Sequence, residues 1–512
     1  MLKRKLAKRF TLSAVTLAVM LSPLQAANAA TNAELIQQRD GAISYLHSKY
    51  KVNNFRYVMD WPALTLYAAG ESPTSARWST STGQNGVTWR EADLKKNLNI
   101  SDATTDFEST LLGALAAGKN PRAYGRRDLV QAVLSSQQQN GKFADTIYGF
   151  GEDLLNSHIY GIIALYAAGV EIPNKQKAID YLLSKQHADG GFNWSVGMAQ
   201  SGTDVTAMAL IAMKALGLDQ ADPAVQKALL YLKQNQTELG GFKNEGVENP
   251  DSNSIIIEAL LMNGIDPSSW KKGSGDVLTN TLSYRNSDGA FAYRKGGDSN
   301  VLSTQNVALA LSDLVKGKSV YQQLREQYAG KSGAWQPLFA DLPYSHPYYE
   351  ENIKLVNLGV VVGHPDGTYG PNDNVTREQF STIMVNGLQL QDQLGPKITK
   401  FRDVSLDRWS NPYINVAYQK QYIVGRPGNL FDPAGNVTGA EVMAILVRML
   451  GLEGDALARP NQKNWYDGHI QVANEQGLWY PNFDPNKNAT RAELSYSFIH
   501  YYEAANKKGA SY

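Results

Sequence analysis

The chain contains six segments that are apolar almost all round, and each of them ends at a glycine. In the most regular segment, from Val205 to Leu216, only Thr206 and Lys214 interrupt an apolar or alanine-rich run. A helix without a polar face is a buried helix, and Gly217 supplies the left-handed C-terminal cap that such a helix needs. The six terminating glycines are Gly70, Gly118, Gly169, Gly217, Gly264 and Gly317. The pattern therefore predicts six buried helices.

Amphipathic segments alternate with the buried ones, and a glycine corner follows most of them. After Gly217, Asp222 and Pro223 provide a cap residue and a first-turn proline for an amphipathic helix. The Q-x-x-x-G-x-F corners begin 49, 50 and 49 residues apart, at Gln137, Gln186, Gln236 and, with arginine for glutamine, Arg285. Helix pairs of fixed period bury their faces only by stacking or closing. We predict an all-α-dominated fold built on an α6/α6 toroid of six helix pairs, with an open solenoid as the alternative.

These corners resemble the repeat of the prenyltransferase and squalene-hopene cyclase superfamily, whose Q-x-x-x-G-x-W motif has phenylalanine here in place of tryptophan. The resemblance covers about residues 35–325. The run Thr203-Asp204-Val205-Thr206-Ala207 resembles the D-x-D-D-T-A acid motif of class II cyclases, of which it keeps only the middle carboxylate, Asp204. It is equally similar to the D-x-T-A-M-A segment of transcobalamin-like members, which bind a ligand and catalyse nothing. The resemblance thus implies the toroid and leaves its chemistry open.

A second and shorter repeat occupies the C-terminal third of the chain. Three times, a loop rich in glycine and aspartate leads into a T-x-x-E/Q capping box, in which the threonine caps a helix and the acid or amide reaches back. The boxes begin at Thr376, Thr438 and Thr490. They resemble the S-layer homology (SLH) module in triplicate, which implies three helix-loop-helix repeats. The predicted division is a signal peptide at 1–29, the toroid at 31–330, and SLH copies at 339–390, 399–452 and 462–505.

The first thirty residues have the order of a secretory signal peptide. A basic start that includes Lys3 and Arg9 precedes an apolar stretch from Phe10 to Leu24, and Ala27-Asn28-Ala29 forms a cleavage site. The apolar stretch is shorter than the roughly 20 residues that a membrane span requires. Removal of five positive charges from a formal net charge of +1 leaves about −4 on the mature chain. We therefore predict a secreted protein.

The composition argues against several kinds of partner and site. The chain is 43% hydrophobic and 19% charged, which is typical of a soluble globular protein, and its near-neutral charge indicates no nucleic-acid partner. Nothing after the leader is long and apolar enough to be a transmembrane segment. The chain has no cysteine, so it offers no disulfide, thiolate nucleophile or cysteine metal site. The zinc site of protein prenyltransferases needs a cysteine, and we accordingly predict neither a metal site nor a cofactor.

Polar residues at the starts of the buried helices give the best candidate site in the toroid. If all six helices run the same way, their N-termini gather at one mouth, where positive dipole ends face a ring of polar side chains. The candidates are Asp60, Asp106, Glu108, His158, Asp204 and Asp251. Helix capping is the alternative role for each aspartate, and a satisfied core histidine is the alternative for His158. Asp204 is the one candidate for a catalytic acid, because it coincides with the family position.

Two functions stay open for the toroid. It is predicted first to be a module that captures a small molecule or glycan without turnover. The alternative is an enzyme, either terpenoid cyclase-like or carbohydrate-active, and a glycosidase would need two carboxylates at a defined separation.

The SLH resemblance implies that the chain is anchored to the cell wall. Such triplets bind the secondary cell-wall polymer of Gram-positive bacteria, often through pyruvylated sugars, and the family's T-R-A-E arginine helps to hold the acidic sugar. That role transfers to Arg377 and Arg491, with Trp409 as a further polymer contact, whereas Gly439 stands at the arginine position of the second copy. A guanidinium fork suits a carboxylate because it donates two parallel hydrogen bonds. The predicted location is the cell wall or S-layer of a Gram-positive-type bacterium.

Overall fold

The computed structural model describes residues 23–96, 101–398 and 400–507. Residues 1–22, which hold the basic start and most of the apolar stretch of the predicted signal peptide, lie outside the described residues. Among the helices that are described, none is both long enough and apolar enough to cross a membrane.

Six inner helices form a closed ring. Each packs against the next one in chain order, and the last packs against the first. They are α2 (Trp61–Ala68), α4 (Thr104–Ala116), α6 (Leu155–Ala167), α8 (Thr203–Ala215), α10 (Pro250–Met262) and α12 (Val301–Lys316). The predicted toroid is confirmed, and closure of the ring excludes the open solenoid.

An outer helix precedes each inner helix. The outer helices are α1 (Pro23–Lys51), α3 (Gly86–Lys95), α5 (Leu129–Ser135), α7 (Lys175–Ser184), α9 (Pro223–Asn235) and α11 (Val277–Leu282). Two short antiparallel hairpins complete this region, β1 (Lys243–Asn244) with β2 (Val247–Glu248) and β3 (Lys271–Lys272) with β4 (Gly275–Asp276).

The glutamine of each of the first three corners ties two repeats together. Gln186 Nε2 donates one hydrogen bond to the Gly190 carbonyl at 2.9 Å and another to the Ala224 carbonyl, at the start of the next outer helix, at 2.8 Å. Gln137 and Gln236 make the equivalent pairs of bonds. Buried carbonyls need such partners, so this residue type recurs because it serves two backbone acceptors at once.

Glycine is required at the corners by both conformation and space. Gly190 has a φ of +92°, and a Cβ added there would lie 2.4 Å from the Lys227 carbonyl oxygen. The six glycines that end the inner helices all have positive φ, between 65° and 90°, as the predicted left-handed caps require.

One end of the ring is closed by α13 (Val320–Tyr328). Its side chains bond to the C-terminal ends of inner helices: Tyr328 Oη donates to the Leu115 carbonyl at 2.7 Å, and Arg325 to the Tyr166 carbonyl at 3.3 Å. Helix α13 therefore lies against the C-terminal ends of α4 and α6, and the N-termini of the inner helices lie at the other end of the ring.

The described part of the C-terminal region contains seven α-helices. They are α14 (Tyr349–Asn357), α15 (Arg377–Gly387), α16 (Asn411–Gln419), α17 (Gly439–Met449), α18 (Glu453–Leu457), α19 (Asp467–Glu475) and α20 (Arg491–Lys507). The predicted capping boxes are present at Thr376 and Thr438, and Thr490 exchanges the same two bonds with Glu493.

Three equivalent segments join the C-terminal copies into one ring. The Val437 amide donates to the Val375 carbonyl at 2.9 Å, the Ala489 amide to Val437 at 2.9 Å, and the Val375 amide to Ala489 at 3.2 Å. Each of these residues directly precedes a capping threonine. The three copies are thus related by an approximate threefold arrangement, and the third copy is needed to close it.

The toroid and the C-terminal copies share a polar junction between α5 and α14. Asp128, fully buried, accepts hydrogen bonds from Tyr349 Oη at 2.8 Å and from Arg122 Nη1 at 3.1 Å. The Asn357 side chain bonds both the amide and the carbonyl of Asp128, at 3.0 and 2.9 Å. Arg127 donates to the Val356 carbonyl at 2.6 Å. The two regions are therefore docked, rather than linked only by the chain between them.

Candidate functional sites

A cavity of about 270 Å³ lies inside the ring. Residues at positions i, i+3, i+4 and i+7 of a helix share a face, and Asp251, Ser254, Ile255 and Glu258 place such a face of α10 against the cavity. The remaining lining residues are Trp61, Thr65, Tyr160, Asp204, Met208, Leu302, Gln305, Asn306, Leu309 and Tyr321. Five of the six inner helices and α13 contribute to this lining.

The structure brings two of the predicted toroid residues, Asp204 and Asp251, into this cavity. Burial raises the pKa of Asp204. Burial also raises the pKa of Asp251, and the negative charge of Asp204 adds to that effect. One oxygen of Asp251, Oδ1, is buried without a hydrogen-bond partner.

Glu258 is a third acid of the cavity, and sequence reasoning missed it. It is only 3% exposed, its Oε2 has no hydrogen-bond partner, and burial raises its pKa to about 8. Behind it on α12 lies the buried Asp313, whose pKa is also raised, chiefly by burial and then by the charge of Glu258. A usable signal existed, since Glu258 is the one charged residue in the otherwise apolar run Ile255–Met262.

Two predicted mouth residues, Asp60 and Asp106, lie outside the lining of this cavity. Asp60 forms an ion pair with Arg90 at 3.5 Å, and burial raises its pKa while Arg90 opposes that shift. Asp106 accepts two hydrogen bonds from Ser101, from the amide at 3.2 Å and from the hydroxyl at 2.6 Å. Both carboxylates therefore have local partners.

Glu108 and His158 are buried in the helix packing away from the cavity. The imidazole of His158 accepts from the Phe143 amide at 3.1 Å, and its other nitrogen contacts the Ala178 carbonyl at 3.0 Å. Thr206, Asn253 and Thr304 bind the corner phenylalanine amides in the same way, so His158 holds a repeat corner. Neither carboxyl oxygen of Glu108 has a hydrogen-bond partner among the described residues, and burial raises its pKa well above the usual range, with Lys142 opposing the shift.

Arg377 lies in the groove between the first and second C-terminal copies. Its guanidinium donates to the Phe431 carbonyl at 2.8 Å and the Val424 carbonyl at 2.7 Å, and Glu441 pairs with it at 3.3 Å. The group stacks on the Phe431 ring and is only 4% exposed. It therefore joins two copies as well as facing the groove.

Arg491 occupies the equivalent place between the third and first copies. It stacks on Tyr369 at 4.7 Å and donates to the Val362 carbonyl, and its Nε has no partner. In the remaining groove a Cβ at Gly439 would lie 2.5 Å from the Asp484 carbonyl oxygen, so glycine fits the close packing of that junction.

The first groove contains a cavity of about 340 Å³ that includes Arg377. Arg426, Arg448 and the exposed Trp465 also line it, facing a single acid of the lining, Glu441. The sequence does not assign these three residues to the site, because Arg426 and Arg448 belong to the second copy and Trp465 to the third, whereas Arg377 belongs to the first. Trp409, which was assigned, is 55% exposed and lies outside this lining.

Comparison with known families agrees with both halves of the architecture. The description "Prenyltransferase alpha-alpha toroid domain" matches residues 89–252. "S-layer homology domain" matches residues 338–381 and 400–443, which are the first two of the three predicted copies. The chain joins a prenyltransferase-type toroid to SLH domains.

The SLH part also has relatives among cell-wall proteins. The middle cell wall protein of Brevibacillus brevis is 32% identical over 149 residues, which are 28% of this chain and 14% of that protein. The cellulosome-anchoring protein of Acetivibrio thermocellus is 32% identical over 129 residues, 24% of this chain and 28% of that protein. The matches thus span less than a third of either relative. They agree with the predicted location at a Gram-positive cell-wall surface.

The toroid has counterparts among solved structures. The type II terpene cyclase MstE from Scytonema superposes with a TM-score of 0.41 and 13% identity, covering 56% of this chain and 99% of that one.

Proposed function

We propose that the SLH region anchors this protein to the secondary cell-wall polymer, displaying the toroid at the surface. The observation that carries the proposal is the groove between the first two copies, where three guanidiniums from different segments and an exposed tryptophan line one cavity with a single carboxylate. An anionic glycan suits this arrangement, because guanidiniums can donate hydrogen bonds to it beyond their ion pairs with Glu441, Asp432 and Glu453, and an indole face packs against sugar rings. A pyruvylated sugar, with its carboxylate, is the partner we propose.

We expect Arg377 and Arg491, the two arginines at the family's position, to contribute differently to polymer binding. Arg491 is held on fewer sides, by the Val362 carbonyl and by stacking on Tyr369, and a charge-assisted hydrogen bond to a ligand contributes about 1.5–3 kcal/mol. Arg377 is already bonded on three sides and also holds two copies together. We therefore expect Arg491→Ala to weaken polymer binding without unfolding the protein. Arg377→Ala should lower stability as well, because Glu441 loses a buried partner.

The test is a pull-down of the mature protein on purified cell walls, with walls stripped of secondary polymer as the control. The parent should bind intact walls only, and Arg491→Lys should restore little, because an ammonium keeps the charge without the fork. Arg448→Ala probes the groove away from the copy junction. Equal binding of the parent to stripped walls would refute the anchoring proposal, and equal binding of the parent, Arg491→Ala and Arg448→Ala would refute the assignment of the grooves.

A second proposal concerns the toroid, which we infer binds a small ligand in its internal cavity. The support is the cavity itself. Tyr321 of α13 contributes to its lining, and so do three acids of the inner helices, Asp204, Asp251 and Glu258. Asp204→Asn should weaken ligand binding in a fragment screen while leaving the melting temperature nearly unchanged. Loss of stability with binding intact would indicate a capping role. Turnover of a bound fragment would favour the alternative, a cyclase-like or carbohydrate-active enzyme.

A further inference from the structure

The toroid cavity has an unbalanced charge. Asp204, Asp251 and Glu258 line it, and among the described residues no lysine, arginine or histidine does. None of these three acids forms an ion pair within the described part of the chain. Buried carboxyls are ordinarily paired or hydrogen-bonded, since an isolated buried charge is costly.

Two of these acids each have one buried carboxyl oxygen that accepts no hydrogen bond from the described residues. Within the described residues, Asp251 Oδ1 and Glu258 Oε2 are buried without a hydrogen-bond partner, although Ser303 and Asn306 bond the Asp251 carboxyl. The Glu258 side chain is more than nine-tenths buried while lining the cavity. Buried polar atoms in native proteins are nearly always satisfied. Unsatisfied acceptors two turns apart on one face of α10 therefore point to a ligand that donates hydrogen bonds or carries positive charge.

The geometry disfavours a bare metal ion as that ligand. No group of three histidine or carboxylate side chains within the described residues is close enough to hold one. The three carboxyls come from two helices, α8 and α10, and the rings of Trp61, Tyr160 and Tyr321 line the same cavity. Aromatic faces attract cations within about 6 Å, and such sites are typical for organic ammonium groups.

We propose that this cavity binds a small organic cation, an amine or a quaternary ammonium. Asp251 and Glu258 supply the countercharge, and the aromatic rings contact the alkyl groups around the nitrogen. The inference rests on the proposed ligand-binding role of the cavity and adds to it the chemical class of the ligand. It makes a cation, rather than a glycan or a neutral terpenoid, the preferred occupant.

The experiment compares two probes of the same shape and different charge. Choline carries a permanent positive charge, and 3,3-dimethyl-1-butanol is its neutral carbon isostere. Binding of each to the full-length mature protein is measured by titration calorimetry and by ligand-observed NMR at about pH 8.5, above the pKa of about 8 that burial gives Glu258. Choline should bind at least about tenfold more tightly than the isostere.

Variants locate the site. Glu258→Gln and Asp251→Asn keep the size of each side chain and remove its charge, and each should weaken choline binding by about fivefold or more. Glu171→Gln, which changes an exposed acid outside the cavity, is the matched control and should leave binding unchanged. Melting curves of all three variants show whether the fold is intact.

The outcomes separate the two proposals. If the isostere binds as tightly as choline and both depend on the cavity variants, the cation inference is overturned while the cavity remains a ligand site. If choline binding is the same in all variants, or no choline binding is seen, the cation inference is also overturned. The ligand-binding role itself fails only if, in addition, no member of the fragment screen depends on Asp204.

Discussion

Replacing Asp128 by alanine probes the junction that docks the toroid on the SLH region. The substitution removes a fully buried carboxylate that caps α5 through the Gln131 amide at 2.8 Å and accepts from Tyr349 and Arg122. The backbone bonds between residue 128 and Asn357 survive in the variant. The change therefore tests the carboxylate alone.

The expected cost follows from what each partner loses. Removal of one member of a buried ion pair typically destabilises a protein by about 3–5 kcal/mol, and loss of an N-cap by about 1 kcal/mol. Asp276→Ala is the matched control, because Asp276 caps α11 through the Thr279 amide at 2.8 Å without joining the two regions. We expect the control to lose about 1 kcal/mol and Asp128→Ala to lose at least about 3 kcal/mol.

Urea unfolding of the mature protein, followed by far-ultraviolet circular dichroism and tryptophan fluorescence, measures both variants. Asp128→Ala should lower the midpoint and separate the two probes, because the toroid and the SLH region then unfold less cooperatively. Tyr349→Phe should be sub-additive with it in a double-mutant cycle, since both changes remove the same contact. If Asp128→Ala costs no more than Asp276→Ala, or if its effect is additive with Tyr349→Phe, the junction does not couple the two regions as described.

Two further predictions concern the toroid repeats. Burial lowers the pKa of His158 to about 3. Below about pH 6.5 this histidine is therefore protonated in the unfolded chain but stays neutral in the folded chain. The free energy of unfolding should fall by up to about 4 kcal/mol as the pH drops from 6.5 toward 3. His158→Asn introduces the residue type that Asn253 provides at the equivalent position of another corner. It should reduce the change of melting temperature with pH between about pH 6 and 4, and an unchanged pH dependence would contradict this prediction. Gln236→Ala leaves the Gly240 and Trp270 carbonyls without this donor and should lower the free energy of unfolding by about 2–3 kcal/mol. Gln234 is exposed, so Gln234→Ala should be nearly neutral in the same urea titration. Equal effects of the two substitutions would argue against the role of the corner glutamine in joining two repeats.

The sequence by itself determined the repeat architecture. The apolar runs and the terminating glycines are local patterns, and each is imposed by a requirement that acts within a few residues. The corners are recognised by their regular spacing, although their glutamine also bonds the next repeat. A left-handed cap needs glycine, and a buried helix needs apolar residues on every side. The same is true of the capping boxes at Thr376, Thr438 and Thr490, whose bonds join residues three positions apart. Local rules of this kind can be read without knowing which helices are neighbours.

Only the tertiary structure decided which polar residues share a site. Asp204 and Glu258 are 54 positions apart and meet because α8 packs beside α10, whereas His158 begins a helix as Asp204 does and instead holds a corner. Arg377 fits the family position, but its burial against Phe431 and Glu441 depends on a neighbouring copy. The physical reason is that the helical period fixes the face on which a residue lies, while the packing of distant segments fixes what that face meets. Helix starts are therefore predictable, and the partners of their side chains are set by the closed ring.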